Sequence, residues 1–184
     1  MAAKKEQIDV SRRNFLTGFR RLREKDPEAA HAPVAKTDET FEVLREANLA
    51  FRDERWEEAA ELYREFLKSE SKNPDARFRL GRCLYRLGKY MQAKVEFEQT
   101  LRLRREDQDA VLHLGLTLMR LDRTDKGAVI WRMYRNPEAM PVQREVSIQL
   151  AFIEDESMEA PPAAVMADQV EEAMERHRRQ SMNA

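Results

Sequence analysis

Apolar positions along this chain recur at helical intervals, and on a longer scale they recur every 34 residues. Ala47, Gly81 and Gly115 form one column at that spacing, Ala59, Ala93 and Gly127 a second, and Tyr63, Phe97 and Trp131 a third. Each column holds small residues or aromatic residues throughout. A small residue on each of two antiparallel helices lets them approach closely, and an aromatic one turn further on fills the next gap on the same face. The pattern predicts helix pairs at 40–53 and 56–70, 74–87 and 90–104, and 108–121 and 124–135. Pro141 opens a further predicted helix, to about 154, with Val142, Val146, Leu150 and Ile153 as its apolar stripe and Ile148 and Phe152 widening it. A last helix, about 163–180, puts Met166, Val170, Ala173, Met174 and His177 on one face. Its acids come early and its arginines late, as the helix dipole favours. Residues 26–37 and 154–162 each hold two prolines and read as linkers.

A unit of this length is one helical hairpin, which cannot bury its apolar face alone, so neighbours must stack on it. Residues 74–107 hold Leu80-Gly81, Gly88-Lys89-Tyr90, Ala93 and Phe97. This resembles the tetratricopeptide repeat, a 34-residue helix–turn–helix with Leu-Gly, then Ala, then Phe in these columns. Residues 40–73 match with Ala47 in the glycine column. Residues 108–141 keep Leu114-Gly115 and Trp131, with Gly127 in place of the alanine. The resemblance implies an all-α, right-handed solenoid of about three helical hairpins over residues 38–154, closed by C-terminal capping helices. A basic segment (1–37) precedes it, and an acidic linker with an amphipathic helix (155–184) follows. Only five glycines in 184 residues and few β-branched runs agree with an all-α chain.

The resemblance also implies that the first helix of each repeat lines a concave groove. The groove columns give two apolar ladders, Leu44, Phe78 and Leu112 and then Phe51, Tyr85 and Met119. Two basic ladders run beside them, Arg45, Arg79 and His113 and then Arg52, Arg86 and Arg120, with Asn48 and Arg82 as further polar hooks. Stacked like charges cost energy unless an anion compensates. The expected ligand is therefore an extended or helical protein segment bearing acids and apolar anchors. Arginine suits it, because its fork takes a carboxylate bidentately. The alternative is that these arginines pair with carboxylates of adjacent helices. Some members of the family grip acidic chaperone tails through a carboxylate clamp. The clamp positions here hold Leu44, Asn48, Arg79, Asp109 and His113, of which only Asn48 fits, so chaperone-tail binding is not expected. Residues 153–172 carry seven acids and no base. On the same chain as an arginine-rich groove, such a tethered segment is expected to cover part of it.

Charged residues make up 36% of the chain, yet the formal net charge is −1, which argues against nucleic-acid binding. Residues 1–25 nevertheless hold eight Lys/Arg and three Asp/Glu. Ser11-Arg12-Arg13-Asn14-Phe15-Leu16 looks like a twin-arginine export motif, but the residues after it are basic where an export signal has an apolar core. Phe15, Leu16, Phe19 and Leu22 fall at helical spacing among arginines, a pattern that lies on an anionic membrane or docks in a groove. Asp9, Ser11, Arg12, Arg13, Leu16, Thr17 and Gly18 also resemble the N-terminal segment of the cytoplasmic accessory ferredoxins of periplasmic nitrate reductase systems. That likeness implies a docking peptide for a bacterial redox or maturation complex, with Arg12, Arg13, Phe15, Leu16 and Phe19 as its contacts. A solvated basic tail and a true export signal stand as alternatives.

The single cysteine, Cys83, excludes an internal disulfide and any cysteine-rich metal site, and reads as a packing residue. No nucleophile–base pair, phosphate loop or metal-spaced cluster is present in the sequence. The expectation is a non-enzymatic scaffold, bacterial and cytoplasmic, without cofactor or metal. Its rivals are an adaptor held peripherally on the inner membrane by the basic segment, and an exported protein.

Overall fold

The computed structural model describes residues 38–155 and 157–182. Eight α-helices and no strand occur among them: α1 (Asp38–Arg52), α2 (Trp56–Ser69), α3 (Pro74–Arg86), α4 (Tyr90–Leu103), α5 (Gln108–Arg120), α6 (Thr124–Trp131), α7 (Met140–Glu154) and α8 (Ala163–Met182). A 3-10 turn, Pro137–Ala139, leads into α7. Each of the first six packs on the next, giving the three expected hairpins, α1–α2, α3–α4 and α5–α6.

Helix starts follow local chemistry. Asn73 caps α3 by accepting the Ala76 N–H at 2.9 Å, with Pro74 in the first turn, where its missing N–H costs nothing. Asp107 caps α5 in the same way through the Ala110 N–H, also at 2.9 Å. The turns inside the hairpins repeat as strictly as the columns do. Glu54, Gly88 and Asp122, each 34 residues from the next, have φ of 58°, 70° and 55°. The following N–H in each turn closes on a carbonyl five residues back. Arg55 bonds Ala50, Lys89 bonds Leu84 and Arg123 bonds Leu118, at 2.9, 2.8 and 2.9 Å. This left-handed exit from a helix favours glycine, yet only the middle repeat has one.

The three columns form the core. Tyr63, Phe97 and Trp131 are fully buried, as are Ala47, Ala59 and Ala93. A Cβ placed on Gly81 would stand 2.7 Å from Phe97 Cε1, and one on Gly115 would overlap the Trp131 indole. The polar tips of the column aromatics find partners: Tyr63 Oη donates to Asn48 Oδ1 at 2.8 Å, and Trp131 Nε1 to the Leu112 carbonyl at 3.3 Å. Arg77 and Glu96 join α3 to α4 at 2.9 Å, and Arg104 at the end of α4 reaches back to Asp75 at the start of α3 at 3.0 Å.

Two departures from the pattern have physical causes. The predicted helix over 124–135 ends at Trp131. Met133 and Tyr134 close shorter bonds, onto Ile130 and Trp131, and this tightening turns the Tyr134 ring into the core, where it is 1% exposed. On α7, Val142 and Val146 are buried as the stripe predicts, but Ile148 is 41% exposed and Gln149 takes the core side instead. Gln149 Nε2 donates to Glu145 at 2.6 Å and to Gln169 on α8 at 2.8 Å, so a polar side chain joins the last two helices. On α8, Met166, Val170 and Ala173 are buried, joined by Ala163 and Ala167. This stripe packs against both α7 and α5.

A candidate peptide-binding face

The first helices of the hairpins, α1, α3 and α5, carry the columns expected to line the groove, but they differ in what stays accessible. On α1, Leu44, Asn48 and Phe51 are half-buried, and Arg45 and Arg52 are exposed. Arg45 pairs with Glu42 on its own helix, and Arg52 with Asp53 at 3.1 Å. Local pairs of this kind contribute little and offer no inward-facing charge.

The first two repeats meet in a stack of aromatic rings and guanidinium groups. Phe51 is its centre. Trp56 lies edge-on to it at 5.4 Å between ring centroids, and Tyr63 at 6.2 Å. From α3, the Arg82 guanidinium sits 5.0 Å from the Phe51 centroid and that of Arg79 5.9 Å, while Arg86 sits 5.3 Å from the Trp56 ring. Arg79 also donates to Asn48, whose amide oxygen holds the Tyr63 hydroxyl as well. None of Arg79, Arg82 and Arg86 forms an ion pair with a carboxylate among the described residues. Burial lowers the pKa of Arg82, and Asp109 partly offsets this. Three cations thus sit over aromatic rings on one side of α3, positioned by packing and without an ion pair among the described residues.

The third repeat departs from the expectation. Leu112, His113 and Met119 are 3%, 8% and 1% exposed, so these residues belong to the interior and not to an open groove. Several neighbours bury this helix: Met119 sits against Gly127 of α6, His113 against Phe78 and Phe97, and α8 also packs on α5. His113 packs edge-on to Phe78 at 5.2 Å and beside Phe97 at 5.6 Å, and its Nδ1 meets the Asp109 carbonyl at 2.8 Å. Burial, reinforced by the nearby Arg82 charge, pushes its pKa down to about 3, so it is a neutral core imidazole and not a basic groove residue. Phe78 is half-buried against this cluster. Tyr85 is likewise buried, donating its hydroxyl to Glu171 of α8 and accepting from Arg120 Nε at 3.1 Å. Arg120 is paired with Asp168 at 2.6 Å and Glu171 at 2.9 Å.

Among the described residues the expected acidic cover is therefore present at Arg120 only. At the end of α7, Glu154 pairs with Arg132 and Asp155 accepts from Ser157, away from these arginines. Sequence reasoning missed Trp56, which sits at the start of a second helix and so outside the first-helix columns. The acidic stretch 153–172 was expected to cover part of the groove, and it does so at Arg120 through Asp168 and Glu171; which of its seven acids would pair was not legible in the sequence. Arg12, Arg13, Phe15, Leu16 and Phe19 lie outside the described residues. Cys83 is fully buried, and burial pushes its thiol pKa up to about 12, in keeping with a packing role. No His/Cys/Asp/Glu group among the described residues is arranged to hold a metal, and none of their helices is long and apolar enough to cross a membrane.

Comparison with known proteins agrees with this geometry. The tetratricopeptide repeat family model matches residues 44–93 and 84–131. Among solved structures, MamA is similar over 96% of this chain and 99% of its own, at 14% identity and a TM-score of 0.58. The first TPR of Spaghetti (RPAP3), solved bound to the HSP90 peptide SRMEEVD, is similar over 61% of this chain and 93% of its own, at 20% identity and a TM-score of 0.53. At these identities the likeness concerns the fold. No curated protein sequence matches the chain. The hairpins thus have a tetratricopeptide-like fold, an architecture that generally mediates protein–protein interaction.

Proposed function

We propose that this tetratricopeptide-repeat chain is a protein-interaction scaffold that takes an acidic partner segment on the face formed by its first two repeats. The observation that carries the reading is the set Arg79, Arg82 and Arg86. Each stacks on Phe51 or Trp56, and none is paired with a carboxylate among the described residues. Guanidinium groups held over rings lose little freedom when a carboxylate arrives, and their forks donate to it bidentately. Leu44 and the exposed edges of Phe51 and Trp56 supply apolar anchor points beside them. The RPAP3 domain, which shares this fold, holds a peptide, and this supports a protein or peptide partner in general. Fluorescence anisotropy with a labelled acidic peptide tests the reading. Arg82→Ala combined with Arg86→Ala is expected to weaken binding roughly tenfold or more, and added salt to weaken wild-type binding. Equal affinity of variant and wild type would overturn it.

The resemblance of residues 9–18 to accessory-ferredoxin segments favours a second contact, with a bacterial redox or maturation complex in the cytoplasm. Deleting residues 1–37 is expected to remove one class of partner in a crosslinking pull-down while leaving peptide binding on the array unchanged. Retention of every partner would remove the basis for that contact.

A further inference from the structure

α8 lies on the array as a bound ligand would. Asp168 and Glu171, one helical turn apart, meet the same guanidinium of Arg120, and Glu171 also takes the Tyr85 hydroxyl. Arg120 stands on α5 and Tyr85 on α3, so the acid pair spans two repeats. The Arg120 side chain is only 18% exposed, and its Nε–H is used on Tyr85, which aims the outer edge of the fork at the two carboxylates. Beneath the acids, Met166, Ala167, Val170 and Ala173 lie buried. α8 thus meets the C-terminal ends of both α5 and α3. The contact is selective, since Glu154 and Asp155, equally tethered, pair elsewhere.

Every element of a receptor for an acidic helix is present here: a forked cation, a hydroxyl donor, an apolar bed and, one turn along α3 from Tyr85, the unpaired Arg82. Resting on the reading that this face takes an acidic segment, we infer that Arg120 and Tyr85 are a carboxylate site continuous with Arg79, Arg82 and Arg86. In the free protein α8 fills it in cis through Asp168 and Glu171. A partner helix with two acids spaced by three residues takes it in trans. The partner segment is accordingly helical rather than extended, because the site's own occupant presents its two carboxylates from successive turns of a helix.

The test uses the full chain and a labelled peptide copying residues 163–175, which carries Asp168, Glu171, Glu172 and Glu175. Asp168→Asn with Glu171→Gln keeps size and removes charge, while the apolar stripe and the Gln149–Gln169 bond still hold α8. The peptide is expected to bind this double variant roughly tenfold more tightly than wild type, since a cis competitor at high effective concentration has been weakened. Adding Arg120→Ala should abolish the gain. Equal affinity for wild type and double variant, or a gain that survives Arg120→Ala, overturns the inference. Hydrogen exchange on the unmutated chain gives a second reading. Saturating peptide should speed exchange across residues 163–175, and unchanged exchange at saturation counts equally against the inference. Failure of the first-two-repeat reading is separately visible. It would appear as binding indifferent to Arg82→Ala with Arg86→Ala, whatever the response to Arg120→Ala.

Discussion

α1 and α5 hold the same register in the array, two repeats apart, yet one is a surface and the other is core. At equivalent positions α1 has Leu44, Arg45, Phe51 and Arg52, all half-buried or exposed. α5 has Leu112, His113 and Met119 in the interior, and Arg120 tied to two carboxylates. α1 packs on α2 and meets the arginines of α3, whereas α5 packs on α4, α6, α3 and α8. Repeat position therefore assigns a residue to a side of its helix, but the neighbours decide whether that side faces a partner or the protein itself. In a stacked array the last repeat would otherwise leave apolar surface open, and here a helix from the same chain covers it.

The sharpest way to break this comparison is to overfill the buried helix. Gly115→Leu would drive a branched side chain into the Trp131 indole and is expected to cost about 3 kcal/mol or more. An unchanged thermal midpoint would mean that α5 and α6 are not packed as described. The cover comes next. Met166→Ala should cost ~2–3 kcal/mol by denaturant titration, and Leu44→Ala on the half-buried α1 clearly less. Equal losses would erase the distinction between the two ends.

His113 gives the comparison a pH dependence. Its folded pKa, about 3, lies below the ordinary value of ~6.5 expected in the unfolded chain. Between those values the unfolded state binds a proton that the folded state refuses, so stability rises with pH through that window and is complete above it. The slope from this one group is at most ~1.4 kcal/mol per pH unit. His113→Phe should flatten the acid limb of the stability profile relative to wild type; identical limbs would show an imidazole that is not buried neutral. Smaller still is the effect of the hairpin turns. Glu54→Gly is expected to stabilise by ~0.5–1 kcal/mol through relief at a left-handed residue, and Asp122→Gly by less, because aspartate tolerates that conformation better. At the bottom of the scale, Arg45→Ala should leave both the melting midpoint and peptide affinity unchanged, since its contact is a local pair with Glu42.

Helix content and hairpin order were legible because the forces behind them act over short stretches of chain. The 34-residue recurrence of Ala47, Gly81 and Gly115 and of Tyr63, Phe97 and Trp131 encodes close helix approach, and caps such as Asn73 and Asp107 act within one turn. The amphipathic stripe of the last helix, Met166, Val170 and Ala173, was equally readable, as was the packing role of Cys83. The end of α6 was not, because the tightened turn at Met133 and Tyr134 forms only when the Tyr134 ring has a core to enter. Nor was the inward side of α7, where Gln149 is preferred to Ile148 once Gln169 stands opposite. The groove residues Leu112, His113, Met119 and Tyr85 share repeat positions with open ones, and nothing local separates them. Which face α8 would cover, and hence which arginines keep their charge for a partner, depends on contacts between residues 48 to 51 positions apart, Arg120 with Asp168 and Glu171. Periodicity along the chain reports what each helix hides; only the folded array reports what hides it.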